Sequence, residues 1–436
     1  MKWSRFNILF KSSQNEYFLY NSYTNCFLKI ADSFYYQLKR IEKNPSCVEE
    51  LSEEDQEYLK ARKILVGPTD DESVVLQMKL LKYRKSFINS QLGLVVAPTL
   101  TCNFACPYCY ERNLPAHVMT EEKEDELIEF IKKYEQKMNG VSLCWHGGEP
   151  LIAFRNIQSI LKKIKERTSL PLIRHSMVTN AFLFTPEMCD FFNESKLNYV
   201  QITIDGPREI HNRNRIHKSG VPTYDVILHN IDMITRRMPD CLVGVRVNIH
   251  NGNKEEFPVL YKELSERWKG RNLIIYPAMV LGQSTGCDVS CLSSHEKSRF
   301  FIDMYEKEGI KNINFNPSVE TGSCSACFND CFIIDPEGLL YKCWSDIGLK
   351  DRVIGSLKEG VSNWSIVSEY MINSDKFADP KCLECKIFPI CKGGCNRFRI
   401  EYKYHQEPYD VCPVSEHGLD KYLEIIYEQQ KGAVSH

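Results

Sequence analysis

No stretch of this chain stays apolar for long. Its hydrophobic runs fall well short of the roughly 18 residues that a membrane-crossing helix needs. The opening segment, MKWSRFNILFKSSQ, has neither a long apolar centre nor a small-residue cleavage site, so no secretory signal is expected. An excess of charge of one sign is missing too. Lys and Arg number 55, Asp and Glu 57, and the formal net charge is −2, which gives no broad field to draw nucleic acid or an anionic membrane. Low-complexity tracts are lacking, and so are repeats beyond an alternation of strand and helix patterns. What the chain does have is cysteine, 19 in 436 residues. Without an export signal the expected compartment is the reducing cytoplasm, where disulfides are rare. An odd number of clustered cysteines there points to metal or cluster ligation. Hydrophobic content of 43% and charged content of 26% are those of a globular chain long enough for two or three domains.

Three regions separate by pattern. In 1–88, β-like runs at 6–11, 16–21 and 26–30 are divided by the polar turns Ser12-Ser13-Gln14-Asn15 and Ser22-Tyr23-Thr24-Asn25. Helical patterns follow at 32–43, 52–63 and 70–87. The layout predicts a small winged-helix-like α+β domain. In 89–317, strands predicted at 92–97, 141–145, 172–178, 199–204, 242–249 and 273–280 alternate with helices near 120–138, 154–168, 185–195, 223–238, 254–269 and 293–309. The first of these helices places Leu127, Ile128, Phe130, Ile131, Tyr134 and Met138 on one face. The third opens on Thr185-Pro186-Glu187: a cap, a proline at the first position and an acid in the first turn. Six strand–helix units with apolar strands imply an α/β fold whose parallel sheet curves into a partial (β/α)6 TIM-like barrel. Ligands of such sheets sit at the carboxyl ends of the strands. In 318–436 cysteines crowd together and long helices are absent until about 415–430, so this region is built around ligands.

Cys102, Cys106 and Cys109 directly follow the first barrel strand. Three thiolates at this spacing wrap three corners of a cubane and leave one iron open for a reacting ligand. A zinc knuckle completed by His117 is the structural alternative. The second strand ends in His146-Gly147-Gly148-Glu149-Pro150, where paired glycines allow close backbone approach. Asp205-Gly206-Pro207, then His211 and Arg215, follow the fourth strand. Ser176, Thr179 and Asn180 lie at the third.

The segment Thr101-Cys102-Asn103-Phe104-Ala105-Cys106-Pro107-Tyr108-Cys109-Tyr110 resembles the signature loop of the radical SAM superfamily. The resemblance implies a [4Fe–4S] cluster whose open iron is chelated by S-adenosyl-L-methionine. Reductive cleavage then yields a 5′-deoxyadenosyl radical that abstracts hydrogen from a substrate. It further implies that Tyr108 packs beside the cofactor and that Gly147, Gly148 and Glu149 hold its methionine amino group. Asp205 and Arg215 stand in the family's D-G-P…H-x-x-x-R segment, whose arginine pairs with the cofactor carboxylate. Ser176 and Asn180 are further expected contacts.

Cys382, Cys385, Cys391, Cys395 and Cys412, preceded by the turn Asp335-Pro336-Glu337-Gly338 and Cys343, resemble a SPASM domain. That resemblance implies two auxiliary [4Fe–4S] clusters, three in all. Cys382, Cys385, Cys391 and Cys412 would hold one. Cys343 and Cys395 contribute to the other, whose last two ligands come from Cys324, Cys327 and Cys331, with Cys324 favoured. The remaining cysteines, Cys26, Cys47, Cys144, Cys189, Cys241, Cys287 and Cys291, read as small buried hydrophobes, with Cys287 and Cys291 the likeliest exceptions.

Relatives with this architecture mostly modify peptides or proteins. In the anaerobic sulfatase-maturating type, which makes formylglycine, an Asp immediately after the hairpin's last cysteine is the expected base. Here that position is Trp344, and Asp346 comes two residues later. The favoured expectation is therefore a maturase that installs thioether, ether or carbon–carbon crosslinks in a ribosomally made precursor peptide. Its leader would add to the strand at 26–30, and a flavodoxin or ferredoxin would supply electrons. Peptide epimerase, small-molecule radical enzyme and non-catalytic cluster scaffold are the alternatives.

Overall fold

The computed structural model describes residues 1–434 except 112–113, 281–290, 312–317, 322–323, 408, 410 and 413–417. The chain divides into two units, each assembled from distant segments. One comprises Met1–Phe87, Ser293–Cys327 and Glu369–His436, the other Ile88–Leu292 and Phe328–Ser368.

The first unit opens with β1 (Lys2–Trp3), β2 (Asn7–Lys11), β3 (Tyr17–Asn21), β4 (Cys26–Ile30) and β5 (Leu65–Val66). Strands β2, β3 and β4 form an antiparallel sheet in that order, and β1 pairs with β5. The polar turns place Asn15 and Asn25 at φ 61° and 57°, a conformation asparagine tolerates better than most side chains. Helices α1 (Asp32–Lys43), α2 (Glu53–Ala61) and α3 (Asp70–Phe87) follow. Alternate side chains serve opposite cores. Leu9 and Leu19 pack with Leu38, Ile41 and Leu59, while Ile8, Phe10, Phe18 and Tyr20 pack with Ile302, Leu423 and Ile426. Both faces are covered, so these strands read as apolar throughout.

The second unit carries β6 (Gln91–Val96), β7 (Gly140–Trp145), β8 (Leu172–Thr179), β9 (Tyr199–Thr203), β10 (Leu242–Ile249) and β11 (Leu273–Met279). All pair in parallel, with α4 (Glu121–Lys132), α5 (Phe154–Arg167), α6 (Pro186–Glu194), α7 (Arg208–Asn214), α8 (Tyr224–Arg237) and α9 (Phe257–Arg267) between them. Beyond β6 the sheet continues into β12 (Cys331–Ile334), parallel to it, and then into β13 (Leu339–Tyr341), β14 (Gly355–Ser356) and β15 (Gly360–Val361). This is the parallel-rich α/β sheet of a partial barrel. Its two faces differ sharply. Val141, Leu143, Met177, Val200, Ile202, Val243 and Val245 are buried, whereas Ser142, Cys144, Ser176, Tyr199, Gln201, Arg246 and Tyr276, on the opposite face, are only half-buried. The inner face of the barrel is thus polar and open.

Completing the chain are α10 (Ser294–Glu306), α11 (Trp364–Ile372), α12 (Pro380–Leu383), α13 (Asn396–Tyr404) and α14 (Leu419–Val434). Short helices α7, α11, α12 and α13 were not anticipated from sequence. The helix expected at 254–269 begins as a 3-10 turn, Lys254–Glu256, because Pro258 fits the first helical turn and not its interior. The Asp335 turn forms as expected: its carboxylate accepts from the N–H groups of Glu337 and Leu339 at 3.0 and 2.9 Å, with Gly338 at φ 79°. Cys189 and Cys241 are buried, but Cys26, Cys47, Cys144 and Cys291 are only half-buried. Cys287 lies outside the described residues. No described helix is long and apolar enough to cross a membrane.

Candidate functional site

The loop after β6 holds Cys102, Cys106 and Cys109 and is clipped by two β-bridges, Thr99 with Val118 and Phe104 with His217. The end of β7 runs closely beneath it. Gly148 and Glu149 donate their N–H groups to Thr99 O and Thr101 O at 3.2 and 2.9 Å. A Cβ on Gly147 would stand 2.4 Å from Thr99 O, and one on Gly148 2.4 Å from Thr101 O. Gly147 also has φ 102°, a backbone conformation that side chains disfavour. Both glycines are thus required by the approach of the cysteine loop itself.

Glu149 is fully buried. Its Oε1 accepts from Leu151 N (3.0 Å) and Thr179 Oγ1 (2.8 Å), and its Oε2 from Asn180 N (2.8 Å). Burial pushes its pKa up against these bonds. The carboxylate is spent on tying the end of β8 to β7. Asn180 in turn donates to Asn103 Oδ1 at 2.7 Å and lies 4.0 Å from Cys102 Sγ. Ser176 sits three residues before the end of β8, and its hydroxyl donates to Leu143 O at 3.3 Å.

A second cluster stands at the ends of β9 and β10. The Tyr108 hydroxyl donates to Asp205 Oδ2 and accepts from Asn248 Nδ2 (3.3 Å) and Arg215 Nη1 (3.5 Å). Asn253 Nδ2 holds the Asp205 and Asn248 carbonyls at 2.7 and 2.8 Å. The buried His211 ring accepts from the Asp205 N–H, and burial pushes its pKa down to about 3. Asp205 Oδ1, Arg215 Nε and Asn103 Nδ2 are buried and find no hydrogen-bond partner among the described residues. Orphaned polar atoms are costly, and their gathering here marks a place fitted to a polar ligand. Burial pushes the Cys102 thiol to about 12 and the Cys109 thiol to about 11, and raises Cys106 while Arg215 opposes the rise. A cationic cluster would reverse this, since bound ligands are thiolates.

His146 meets Tyr110, whose hydroxyl is 3.2 Å from Nε2, and Trp344, whose ring is 4.6 Å away edge-on. The buried Glu111 reaches its Nδ1 at 3.5 Å. Burial pushes Glu111 up to about 8 and His146 down to about 4. Asp346 is fully buried and paired with Arg352 at 3.8 Å, so it offers no free base in place of Trp344. The His117 ring pairs with Glu337 at 3.1 Å. That pairing engages Nδ1 and leaves Nε2 as the ring's other donor or acceptor atom.

Sequence reading missed Asn248, Asn253, Glu111 and Arg246. Arg246, half-buried on the inner face, uses Nε to bond Asn248 Oδ1 at 2.9 Å, and among the described residues it has no carboxylate within ion-pair distance. The signal for Asn248 and Asn253 was present as polar residues at the carboxyl end of an apolar strand.

In the first unit, Cys382 Sγ accepts from Arg399 Nη2 at 3.2 Å, Cys391 Sγ from Gly393 N at 3.3 Å and Cys327 Sγ from Asn396 Nδ2 at 3.3 Å. In the second, Cys102 Sγ accepts from Phe104 N at 3.4 Å. N–H groups aimed at sulfur suit thiolates that carry cluster charge. Cys385 is half-buried, and the Cys412 carbonyl accepts from Ser294 Oγ at 3.0 Å. Cys324 and Cys395 also lie in the first unit, Cys331 and Cys343 in the second. Cys331 is the first residue of β12 opposite Gly93, with its sulfur 2.9 Å from where a Gly93 Cβ would be. No three His, Cys, Asp or Glu side chains among the described residues converge on one metal ion; a cubane holds its thiolates further apart.

Residues 96–264 match the family model described as the Radical SAM superfamily. The serine-type anaerobic sulfatase-maturating enzyme of Bacteroides thetaiotaomicron is 36% identical over 172 residues, covering 36% of this chain and only 39% of that enzyme. The cysteine-type anaerobic sulfatase-maturating enzyme of Clostridium perfringens is 23% identical over 356 residues, 73% of this chain and 94% of its own. Among solved structures, anSMEcpe with bound AdoMet and Cp18Cys peptide superposes at TM-score 0.62 with 18% identity, over 79% of this chain and 99% of that one. Streptococcus suis SuiB bound to precursor peptide SuiA superposes at 0.53 with 14% identity, over 95% and 100%.

Proposed function

Starting from the radical SAM domain that residues 96–264 form, we propose that this enzyme is a peptide maturase that crosslinks a ribosomally made precursor. The observation that carries the reading is the three-cysteine loop at the carboxyl ends of parallel strands, opening onto a polar inner face. Cys102, Cys106 and Cys109 would hold a [4Fe–4S] cluster, and the orphaned atoms of Asp205 and Arg215 would meet S-adenosyl-L-methionine. When bound, that pair supplies a hydrogen-abstracting radical. The chain's own residues do the rest. Gly147 and Gly148 let β7 brace the cysteine loop, Glu149 fixes Asn180 beneath it, and Tyr108, Asn248 and Asn253 lock Asp205 in place. Arg246, Gln201, Tyr199 and Tyr276 line the open face that would receive the substrate.

By resemblance, Cys382, Cys385, Cys391 and Cys412 hold one auxiliary cluster, and Cys343 and Cys395 contribute to another. We assign its remaining ligands to Cys324 and Cys327, because Cys331 is taken up in β12 against Gly93. The partners are a precursor peptide with a leader segment and an external one-electron donor, a flavodoxin or ferredoxin, in the cytoplasm. SuiB bound to precursor peptide SuiA supports a peptide substrate. The leader would add to β4, which pairs with β3 on one side only among the described residues. Sulfatase maturation is disfavoured by Trp344 and by the burial of Asp346.

Co-expression with a short peptide encoded beside the gene tests this. A loss of two hydrogens per crosslink is expected. Conversion of a Cys or Ser to an aldehyde would instead establish the sulfatase-type reaction, and unchanged mass with deuterium uptake would establish epimerisation. Full-length peptide, but not leaderless peptide, should slow amide exchange over Cys26–Ile30.

A further inference from the structure

One helix, α13, serves both groups of C-terminal cysteines in the first unit. Its residues Asn396 and Arg399 are three apart and so share a face. Asn396 Nδ2 donates to Cys327 Sγ at 3.3 Å and is steadied by Ser374 Oγ at 3.0 Å. Arg399, 7% exposed, donates from Nη2 to Cys382 Sγ at 3.2 Å, from Nε to Gly393 O at 2.6 Å and from Nη1 to Asp379 Oδ2 at 2.6 Å. Behind it Lys376, 2% exposed, donates to the carbonyls of Glu320, Phe388 and Cys391 at 2.6, 2.7 and 2.8 Å.

The direct donors to the two sulfurs differ in charge. Cys382 Sγ accepts from the buried Arg399 cation, itself paired with Asp379, whereas the donor to Cys327 Sγ is a neutral amide. Lys376 stands among Glu320, Asp375 and the sulfurs of Cys382 and Cys391, and the buried Arg397 acts on Cys395. Reduction adds one negative charge to a cluster. A cation hydrogen-bonded to a ligand sulfur in a low-dielectric setting stabilises the reduced state more than a neutral donor does.

We propose that Arg399, by donating a charged hydrogen bond to Cys382 Sγ, raises the reduction potential of the auxiliary cluster held through Cys382 and Cys391. This rests on the cluster ligation proposed above. Arg399 is a positioning residue: it touches a ligand's sulfur and neither cofactor nor substrate.

The test is potentiometric titration of the full-length, cluster-loaded enzyme followed by electron paramagnetic resonance. Arg399→Met should shift one auxiliary component to more negative potential, by about tenfold in its reduced-to-oxidised ratio at fixed poise, or about 59 mV for a one-electron couple. Asp379→Asn serves where Arg399→Met fails to fold. The asparagine still caps α12 through its side-chain oxygen, and removing the carboxylate should shift the same component to more positive potential. Intact clusters whose midpoints stay put in both variants would overturn the inference alone. A protein lacking iron at Cys382, Cys385, Cys391 and Cys412 would overturn the ligation, and the inference with it.

Discussion

At the scale of single residues, a steric constraint falls on Gly148. An added Cβ would meet the carbonyls of Thr101 and Leu100 at 2.4 and 2.6 Å. Gly148→Ala should therefore cost roughly 1–3 kcal/mol of overpacking, read as a lower melting temperature together with reduced iron loading. Gly147→Ala should cost more, because its φ of 102° adds backbone strain. A pH effect belongs to His175. Trp145 Nε1 donates to its Nε2 at 2.8 Å, and its Nδ1 faces Ser195 O at 3.0 Å, so the fold selects the neutral ring. Burial pushes its pKa down to about 4 from 6.5. The stability gained from the neutral ring is whole above pH 6.5 and is lost as pH falls toward 4, on the order of 3 kcal/mol. Urea melts between pH 7 and 4 should show this fall, and His175→Phe should lessen it by His175's share, leaving that of the buried His146 and His211. The motif residues were legible in the sequence because chemistry fixes their spacing. Asn248 and Arg246 were not, because their meaning comes from strand register: Arg246 lies opposite Thr203 and Tyr276, residues more than 25 positions away in the chain.

At the scale of elements, the strands were legible almost to the residue, since β10 runs Leu242–Ile249 as its apolar pattern implies. What the pattern hid was the polar inner face. Continuous apolar runs imply strands buried on both sides, yet every second position of β7 to β10 is only half-buried or glycine, except near the strand ends. The barrel is open there, and its residues are chosen for what enters. Arg246→Met should lower peptide modification roughly tenfold, the effect of losing a charge-assisted hydrogen bond, with little change in melting temperature. Turnover followed by mass spectrometry checks this. Helix α12 and the 3-10 turn Lys376–Ala378 escaped notice because their caps are Asp379 and Asp375, which look like ordinary turn residues.

At the scale of the molecule, the loaded protein should hold close to three clusters. Replacing Cys102, Cys106 and Cys109 together with Ala should remove one of them and abolish S-adenosylmethionine cleavage. Residual 5′-deoxyadenosine from such a variant, made with dithionite, would contradict the assignment. The second unit was readable as one continuous stretch up to β11, whereas the return of β12 alongside β6 was not. Nothing local in Cys331–Ile334 says which strand it will join.

The packing of α14 against the N-terminal sheet bears on how the protein is made. Phe18 and Phe27 meet Tyr427 at ring separations of 4.7 and 5.2 Å, and Leu423 and Ile426 complete that core. On the ribosome these strands emerge long before their cover. At about 5–20 residues per second, the nascent sheet waits some tens of seconds with Phe10, Phe18 and Phe27 uncovered. A chain halted before Leu419 should therefore stay bound to chaperones or precipitate, and release should come only after Leu419–Val434 has cleared the exit tunnel.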